Sequence, residues 1–483
     1  MNDAFKDLKP ALLWQHFAKI LEIPHCSGHE EALGDYIISV AKANGLEWQR
    51  DAVGNVVVRK KASPGHEQAT GVILQGHLDM VCEKNSDVEH DFSRDAIQPV
   101  RQGEWIQAKG TTLGADNGIG VAAALAVMED DSLVHGPLEF LFTVDEETGL
   151  TGATRLEPGF LQGKMLLNLD SEEEGSFTIG CAGGADTEII YPLARQEKQN
   201  HSFWQVKVSG LRGGHSGLDI NQGRGNAIKI LARLLWEVYQ ELDFSLVSFT
   251  GGNKRNAIPR EAWAEIALPP EKENEFKTKI EQLFQDVQFE LRVVDGGVRL
   301  SLEQTSSDFI PLTASCQRTL FNFLLALPHG VISMHPEIEG LVETSTNLAI
   351  IKTHEKEAEI VCSSRSSVAS ALRSVREVIR ACAQLAGAEV TQPEGYPAWT
   401  PNLDSPLLKT MKEVYKKTFG QEPEVGAVHA GLECGIIGEK YPGMDMISFG
   451  PTIEHPHSPE ERVHIGSVEK FWKFLTAVLA TLA

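Results

Sequence analysis

The chain has 483 residues, 42% of them hydrophobic and 23% charged, with 44 Lys and Arg against 67 Asp and Glu and a formal charge of −23 with histidine neutral. That apolar content over that length supports a large core and excludes disorder of the whole chain, and the acid excess argues against a non-specific binder of nucleic acid or of anionic membrane, because both would repel it. No apolar stretch approaches the ~18 uninterrupted residues that a membrane span requires.

In chain order, the first ~185 residues alternate apolar runs with helical patterns, the rhythm of βαβ units around a largely parallel sheet. Short runs rich in Val, Ile, Leu and Phe predict strands over 71–75, 138–144 and 165–169, as expected of strands buried on both faces. Gly118-Ile119-Gly120 leads into an Ala-rich run over 121–128 that predicts a helix packed on that sheet. The texture changes after residue 200. Strands are predicted over 203–208, 246–250, 262–267, 298–302, 347–351 and 359–362, with helices over 226–239, 272–284 and 370–385 between them. Residues 393–397, Pro-Glu-Gly-Tyr-Pro, read as a connector. A strand over 445–449 and a helix from Ser467 follow. The fold class expected is α/β, with a mainly parallel-sheet domain built from 1–185 and 392–483 and, if the strand over 445–449 completes its sheet, an inserted α/β domain over 186–391.

The opening residues 1–7 lack a basic segment followed by an apolar one, so no secretory signal is expected and the cytoplasm is the default location. The seven cysteines, at 26, 82, 181, 316, 362, 382 and 434, include no C-x-x-C pair. They are expected as reduced thiols, neither a disulfide framework nor a thiolate zinc site.

Polar residues fall where chemistry would need them. His77 and Asp79 follow the strand over 71–75 and, two apart, project to the same side if the extended geometry continues. Asp116 lies just before the Ala-rich helix, Asp145-Glu146-Glu147 ends the strand over 138–144, Asp170 ends that over 165–169, and His455-Pro456-His457-Ser458-Pro459-Glu460-Glu461 follows that over 445–449. Ligands of open α/β sheets bind beyond the carboxyl ends of the strands. Carboxylates gathered there would raise one another's pKa unless a cation neutralised them. With His and carboxylate but no Cys, the set suits Zn²⁺, Mn²⁺ or Co²⁺. Three carboxylates and two neutral imidazoles around two such ions leave a charge of about +1, enough to acidify a bridging water and polarise a carbonyl, which describes a hydrolase. Asp145, Glu172, Glu173 and Glu174 are read as solvated turn acids. The Gly114 to Gly120 loop lacks the Gly-Lys-Ser/Thr ending and the G-x-G-x-x-G pattern of phosphate cradles.

Five separated motifs in order, GHLDM, LGADNGIG, DEETGLTGA, the Asp170 segment and HSPEE, resemble the co-catalytic metallopeptidases that include aminoacylases, carboxypeptidases, tripeptidases and Xaa-His dipeptidases. The length, the Gly213-Gly214-His215-Ser216-Gly217 segment and the segment from His429 to Gly435 look most like the Xaa-His branch. The resemblance covers essentially the whole chain. It implies two divalent metal ions, zinc first, with manganese or cobalt as alternatives. Asp116 would bridge the ions, His77 and Asp170 would complete one, and Glu147 and His457 the other. It implies that Asp79 hydrogen-bonds the far nitrogen of His77, that Glu146 is the general base, and that the peptide after Asp116 is cis. His215 would stabilise the oxyanion as a lid closes, Asn256 and Arg365 would contact the substrate carboxylate, and Gly431 would offer its backbone there. Arg suits a carboxylate because its fork binds both oxygens. His429 and Glu433 are left without a role.

The function expected is therefore hydrolysis of small dipeptides with a free C-terminus, Xaa-His such as carnosine preferred, by a homodimer; the preference for His and the dimer are implied by the resemblance alone. An N-acyl-amino-acid deacylase or tripeptidase on the same scaffold is the alternative among enzymes, and a catalytically silent metal- or peptide-binding protein the alternative outside them.

Overall fold

In the computed structural model, which describes residues 3–198 and 200–483, the first predicted strands lie side by side as Leu138–Thr143, Val72–His77 and Met165–Asn168, followed by Asp445–Ser448. These four are mutually parallel. Every residue of the strands Val72–His77 and Leu138–Thr143 is buried, which is why their apolar residues come consecutively, Val72 to Leu74 and Phe140 to Phe142, and not in strict alternation. The flanking pairings are antiparallel: Val56–Lys60 on Leu138–Thr143 and Glu47–Arg50 on Val56–Lys60 at one side, Ser176–Cys181 on Asp445–Ser448 at the other. Asp445–Ser448 pairs with Met165–Asn168 across nearly 280 residues of chain, so the middle segment is an insertion.

The Ala-rich run belongs to the helix Ala115–Glu129, whose residues from Asn117 to Met128 are all buried. Such burial needs small side chains. A Cβ on Gly120 would stand 2.5 Å from the carbonyl oxygen of Leu169 and 2.7 Å from Oδ1 of Asn117. A small antiparallel sheet of Pro99–Gln102, Trp105–Ala108, Arg462–His464 and Ile453–Glu454 completes this part.

The chain divides into two compact units, one formed by 1–181, 399–427 and 432–483, the other by 182–398 and 428–431. The boundaries expected at 185/186 and 391/392 therefore move. The strand Gly183–Pro192 already belongs to the second sheet, and the connector is held to it by reciprocal hydrogen bonds between Gly184 and Tyr396. Val428 joins the second unit by accepting the N–H of Ala182.

The second unit has one sheet in the order Arg299–Thr305, Ser202–Ser209, Ala262–Leu268, Ser245–Gly251, Val342–Thr353, Glu357–Ser366, Gly183–Pro192, Glu389–Thr391, with Gly330–Met334 also on Val342–Thr353. Its pairings are antiparallel. Helices Ala227–Tyr239, Glu273–Leu291, Ala314–Ala326 and Ala369–Leu385 share its core. Asn226 starts the first of them, its side chain accepting from the N–H groups of Ile228 and Lys229.

Among the described residues no helix is long and apolar enough to cross a membrane. One expectation about cysteine is corrected: Cys26 and Cys82 form a disulfide, leaving Cys181, Cys316, Cys362, Cys382 and Cys434 as free thiols. A backbone bridge between Cys26 and Met80 brings Cys82 up to Cys26, a pair whose separation of 56 residues carries no spacing signal.

Candidate active site

Six side chains from five segments of the first unit converge. His77 is the last residue of its strand, Asp170 lies two residues beyond Asn168, and Glu146 and Glu147 open the short helix Glu146–Gly149 after the strand Leu138–Thr143. All three segments leave the carboxyl ends of parallel strands, where a sheet of this type opens its crevice. Asp116 sits at the non-helical start of Ala115–Glu129, followed by a cis peptide to Asn117. His457 lies in the turn between Ile453–Glu454 and Arg462–His464.

Asp116 occupies the middle. Its Oδ1 lies 3.1 Å from His77 Nε2, which is also 3.2 Å from Oδ1 of Asp170. Its Oδ2 lies 3.1 Å from His457 Nε2, which is also 3.0 Å from Oε2 of Glu147. One carboxylate thus presents each of its oxygens to a separate imidazole and carboxylate, and in each trio the ligand atoms lie within 4.8 Å of one another. His77, Glu146 and Glu147 form a further group within that limit. Oε1 of Glu147 is buried without a hydrogen-bond partner among the described residues, as an oxygen that could take a cation would be.

The electrostatics follow from this crowding. Burial opposes charge on His77, but Asp170, Asp116 and Asp79 outweigh it and hold the imidazole well above its ordinary value. Hydrogen bonds to Asp116 and Glu147 raise His457 to about 11. Burial pushes Asp170 up to about 6 and Glu146 well above the ordinary carboxylate range. Buried carboxylates attract positive charge, which protons on the two imidazoles or divalent cations can provide.

Asp79 lies beside the far nitrogen of His77. Nδ1 of His77 meets the backbone carbonyl of Asp79 at 2.9 Å, and the Asp79 carboxylate stands 3.5 Å from the same nitrogen. That carboxylate also accepts the N–H groups of Glu146 at 2.9 Å and Glu147 at 3.1 Å and the hydroxyl of Ser27 at 2.7 Å. Despite its burial, the His77 imidazole and these donors hold it down at about 2.

A second group forms within the second unit. His215 Nδ1 accepts the N–H groups of Gly217 and Leu218, which puts the ring proton on Nε2. Nε2 then faces Nη2 of Arg365 at 3.4 Å, donor against donor. Burial and that guanidinium lower His215 to about 4, so the ring is neutral near pH 7. Arg365 Nη1 donates to the Tyr396 hydroxyl at 2.6 Å, and among the described residues its buried Nε has no hydrogen-bond partner. Asn256 and Arg365 line one cleft of about 470 Å³ with Tyr396. Gly431 backs onto the same Tyr396 ring, 2.8 Å from where a Cβ would stand.

The family model described as peptidase family M20/M25/M40 matches residues 73–481. The chain belongs to this family. It is similar to the cytosol non-specific dipeptidase of Escherichia coli (strain K12), 44% identical over 473 residues that cover 98% of each chain. It is also similar to the aminoacylhistidine dipeptidase of Vibrio alginolyticus, at 45% identity and a TM-score of 0.91 over 99% of this chain and 98% of that one. A tripeptidase from Staphylococcus aureus, 16% identical over 98% and 99% of the two chains with a TM-score of 0.58, shares the fold alone.

Around the centre of this M20 peptidase lie residues to which sequence reasoning gave no role. Glu433, 1% exposed, accepts from Gln75 Nε2 at 2.6 Å and from the Thr143 hydroxyl at 2.7 Å, tying the strands that end in His77 and in Glu146. Gln75 continues the network to Asn168, two residues before Asp170. Glu461, 2% exposed, caps the loop that leads to Asp116. Of the four turn acids expected in solvent, only Glu173 is exposed. Asp145 accepts the hydroxyls of Thr148 and Thr151, Glu174 accepts from Tyr415 and Lys470, and burial beside Asp116 and Asp170 raises Glu172 to about 8. The turn folds back over the strand end, with the Glu172 carbonyl accepting the N–H of Ile453.

Proposed function

We propose that this M20 peptidase is a dinuclear metal-dependent dipeptidase that cleaves dipeptides with a free C-terminus, Xaa-His such as carnosine (β-alanyl-histidine) among them. The observation that carries the reading is the division of Asp116, one oxygen toward His77 and Asp170 and the other toward His457 and Glu147. His77, Asp116 and Asp170 are assigned to one ion and Asp116, Glu147 and His457 to the other, with zinc the metal of choice and manganese or cobalt chemically admissible. When bound, two such ions supply a water acidic enough to ionise near neutral pH and polarise the scissile carbonyl.

The protein's own groups do the rest. Glu146, within 4.8 Å of ligand atoms of His77 and Glu147, takes the proton of the attacking water on its carboxylate and delivers it to the leaving amine. Asp79 holds the N–H groups of Glu146 and Glu147 and so fixes both carboxylates. Nε2–H of His215 is assigned to the developing oxyanion. Arg365, Asn256 and the backbone of Gly431 are assigned to the C-terminal carboxylate. Two donors pressed together, His215 Nε2 and Arg365 Nη2, support an anionic occupant. The names of the two close relatives, a cytosol non-specific dipeptidase and an aminoacylhistidine dipeptidase, support the dipeptide reading and a cytoplasmic location. A homodimer is part of the same proposal, favoured by Val331, Ile332 and Met334, which the strand Gly330–Met334 leaves exposed.

Carnosine hydrolysis after chelation and after metal add-back, beside E146A, tests the mechanism. Chelation should abolish turnover and add-back restore it, while E146A binds metal and does not turn over. Activity indifferent to both would refute the reading, and a panel of tripeptides and acetylated amino acids separates it from a tripeptidase or a deacylase.

A further inference from the structure

Glu461 has four consecutive backbone donors on its two oxygens. Oε2 accepts the N–H groups of Leu113 at 2.7 Å and Gly114 at 2.9 Å, and Oε1 accepts those of Ala115 at 2.7 Å and Asp116 at 3.2 Å. These amides lead into the helix Ala115–Glu129, those of Ala115 and Asp116 opening it, where the first N–H groups have no partner inside the helix. The backbone at Asp116 and Asn117 is not helical, so the helix itself does not dictate where Asp116 points. The other end of the link is equally defined. Glu461 stands four residues after His457, at the base of a hairpin whose arms pair Ile453 with Val463 and Glu454 with Arg462. The arm that follows Glu461 pairs with Trp105–Ala108. One side chain therefore joins the loop that carries Asp116 to the turn that carries His457, which meet at 3.1 Å.

We propose that Glu461 is a positioning residue that sets the Asp116 loop against the His457 turn, so that filling of both metal positions depends on its paired oxygens. This rests on the metal reading above. The chemistry required is specific: all four contacts are N–H donors, so both oxygens must accept. Glutamine has the same shape but would turn an NH₂ toward two N–H groups. Aspartate keeps two acceptors but falls one methylene short, and would serve one pair of amides well and the other poorly. A side chain that merely filled space would be replaced by glutamine without loss.

Apo protein, stripped by chelation, is titrated with Zn²⁺ against a chromophoric competitor for wild type, E461Q, E461D and, as a control in the same exposed turn, E460Q, with thermal melting alongside. Wild type and E460Q should take up two ions. Folded E461Q should lose about 10- to 100-fold in affinity for at least one of them, the range for residues that orient ligands, with E461D between. Either Glu461 variant filling both positions with wild-type affinity would overturn the proposal, as would an E461Q whose deficit matches its unfolded fraction. E461D decides by the same criterion if E461Q does not fold. A wild type that takes up fewer than two ions overturns the metal reading itself, and this inference with it.

Discussion

Asp79 shows how one carboxylate can hold several groups of the candidate site at once. Its oxygens hold the N–H groups of Glu146 and Glu147 and the Ser27 hydroxyl, and its own backbone carbonyl meets Nδ1 of His77. In D79N the amide nitrogen cannot accept, so at least one of these donors is left buried without a partner. Expected is a loss of about 10- to 100-fold in kcat or metal affinity, read by steady-state kinetics and metal titration, with S27A milder because the two backbone contacts survive. Arg365 offers a contrast within the second unit. Its fork is spread between Tyr396 and the space beside His215. Lysine keeps the charge but loses the planar pair of donors. R365K should raise KM for dipeptides about tenfold or more, with a smaller change in kcat; an unchanged KM would remove Arg365 from carboxylate recognition.

At the scale of elements, the centre depends on how closely the helix Ala115–Glu129 lies on the sheet. Asn117 donates to the Leu169 carbonyl at 2.7 Å, and a methyl group at Gly120 would compete for the same space. G120A should therefore lower stability by about 1–3 kcal/mol despite alanine's better helix propensity, measured by urea denaturation of the metal-free protein. This helix was legible in the sequence because an Ala-rich run with paired glycines has few other uses, and the parallel strands because short clusters of consecutive apolar residues, Val72 to Leu74, Phe140 to Phe142 and Met165 to Leu167, suit a doubly covered sheet. The small sheet was not. Its strands, Pro99–Gln102, Trp105–Ala108, Ile453–Glu454 and Arg462–His464, have two to four residues each, too few for a period to register, and join segments some 350 residues apart. Glu461 and Glu433 were hidden for a related reason. An acid in a polar turn looks solvated until the fold supplies its donors from elsewhere, four backbone amides for one and Gln75 with Thr143 for the other.

For the whole molecule, pH links these local environments to stability. His429, 5% exposed, has its Nε2 hydrogen-bonded to the Ser345 hydroxyl at 2.7 Å. Burial, then the nearby Arg365, lowers it from its ordinary 6.5 to about 4. The unfolded chain therefore takes up this proton at a higher pH than the folded one. The contribution of the neutral ring is fully present above pH 6.5, falls by roughly 1.4 kcal/mol per pH unit as pH drops from there to about 4, and then levels off because the folded state is protonated too. Buried carboxylates with raised values, such as Glu433 at about 7, work in the opposite sense, losing their contribution as pH rises, so the total curve does not isolate His429. A difference does. Urea midpoints of metal-free wild type and H429Q, taken at pH 7.5, 6.5, 5.5 and 4.5, should converge as the pH falls, since glutamine can hydrogen-bond Ser345 and does not titrate. A gap of constant size across that series would mean that His429 is not held neutral by its surroundings.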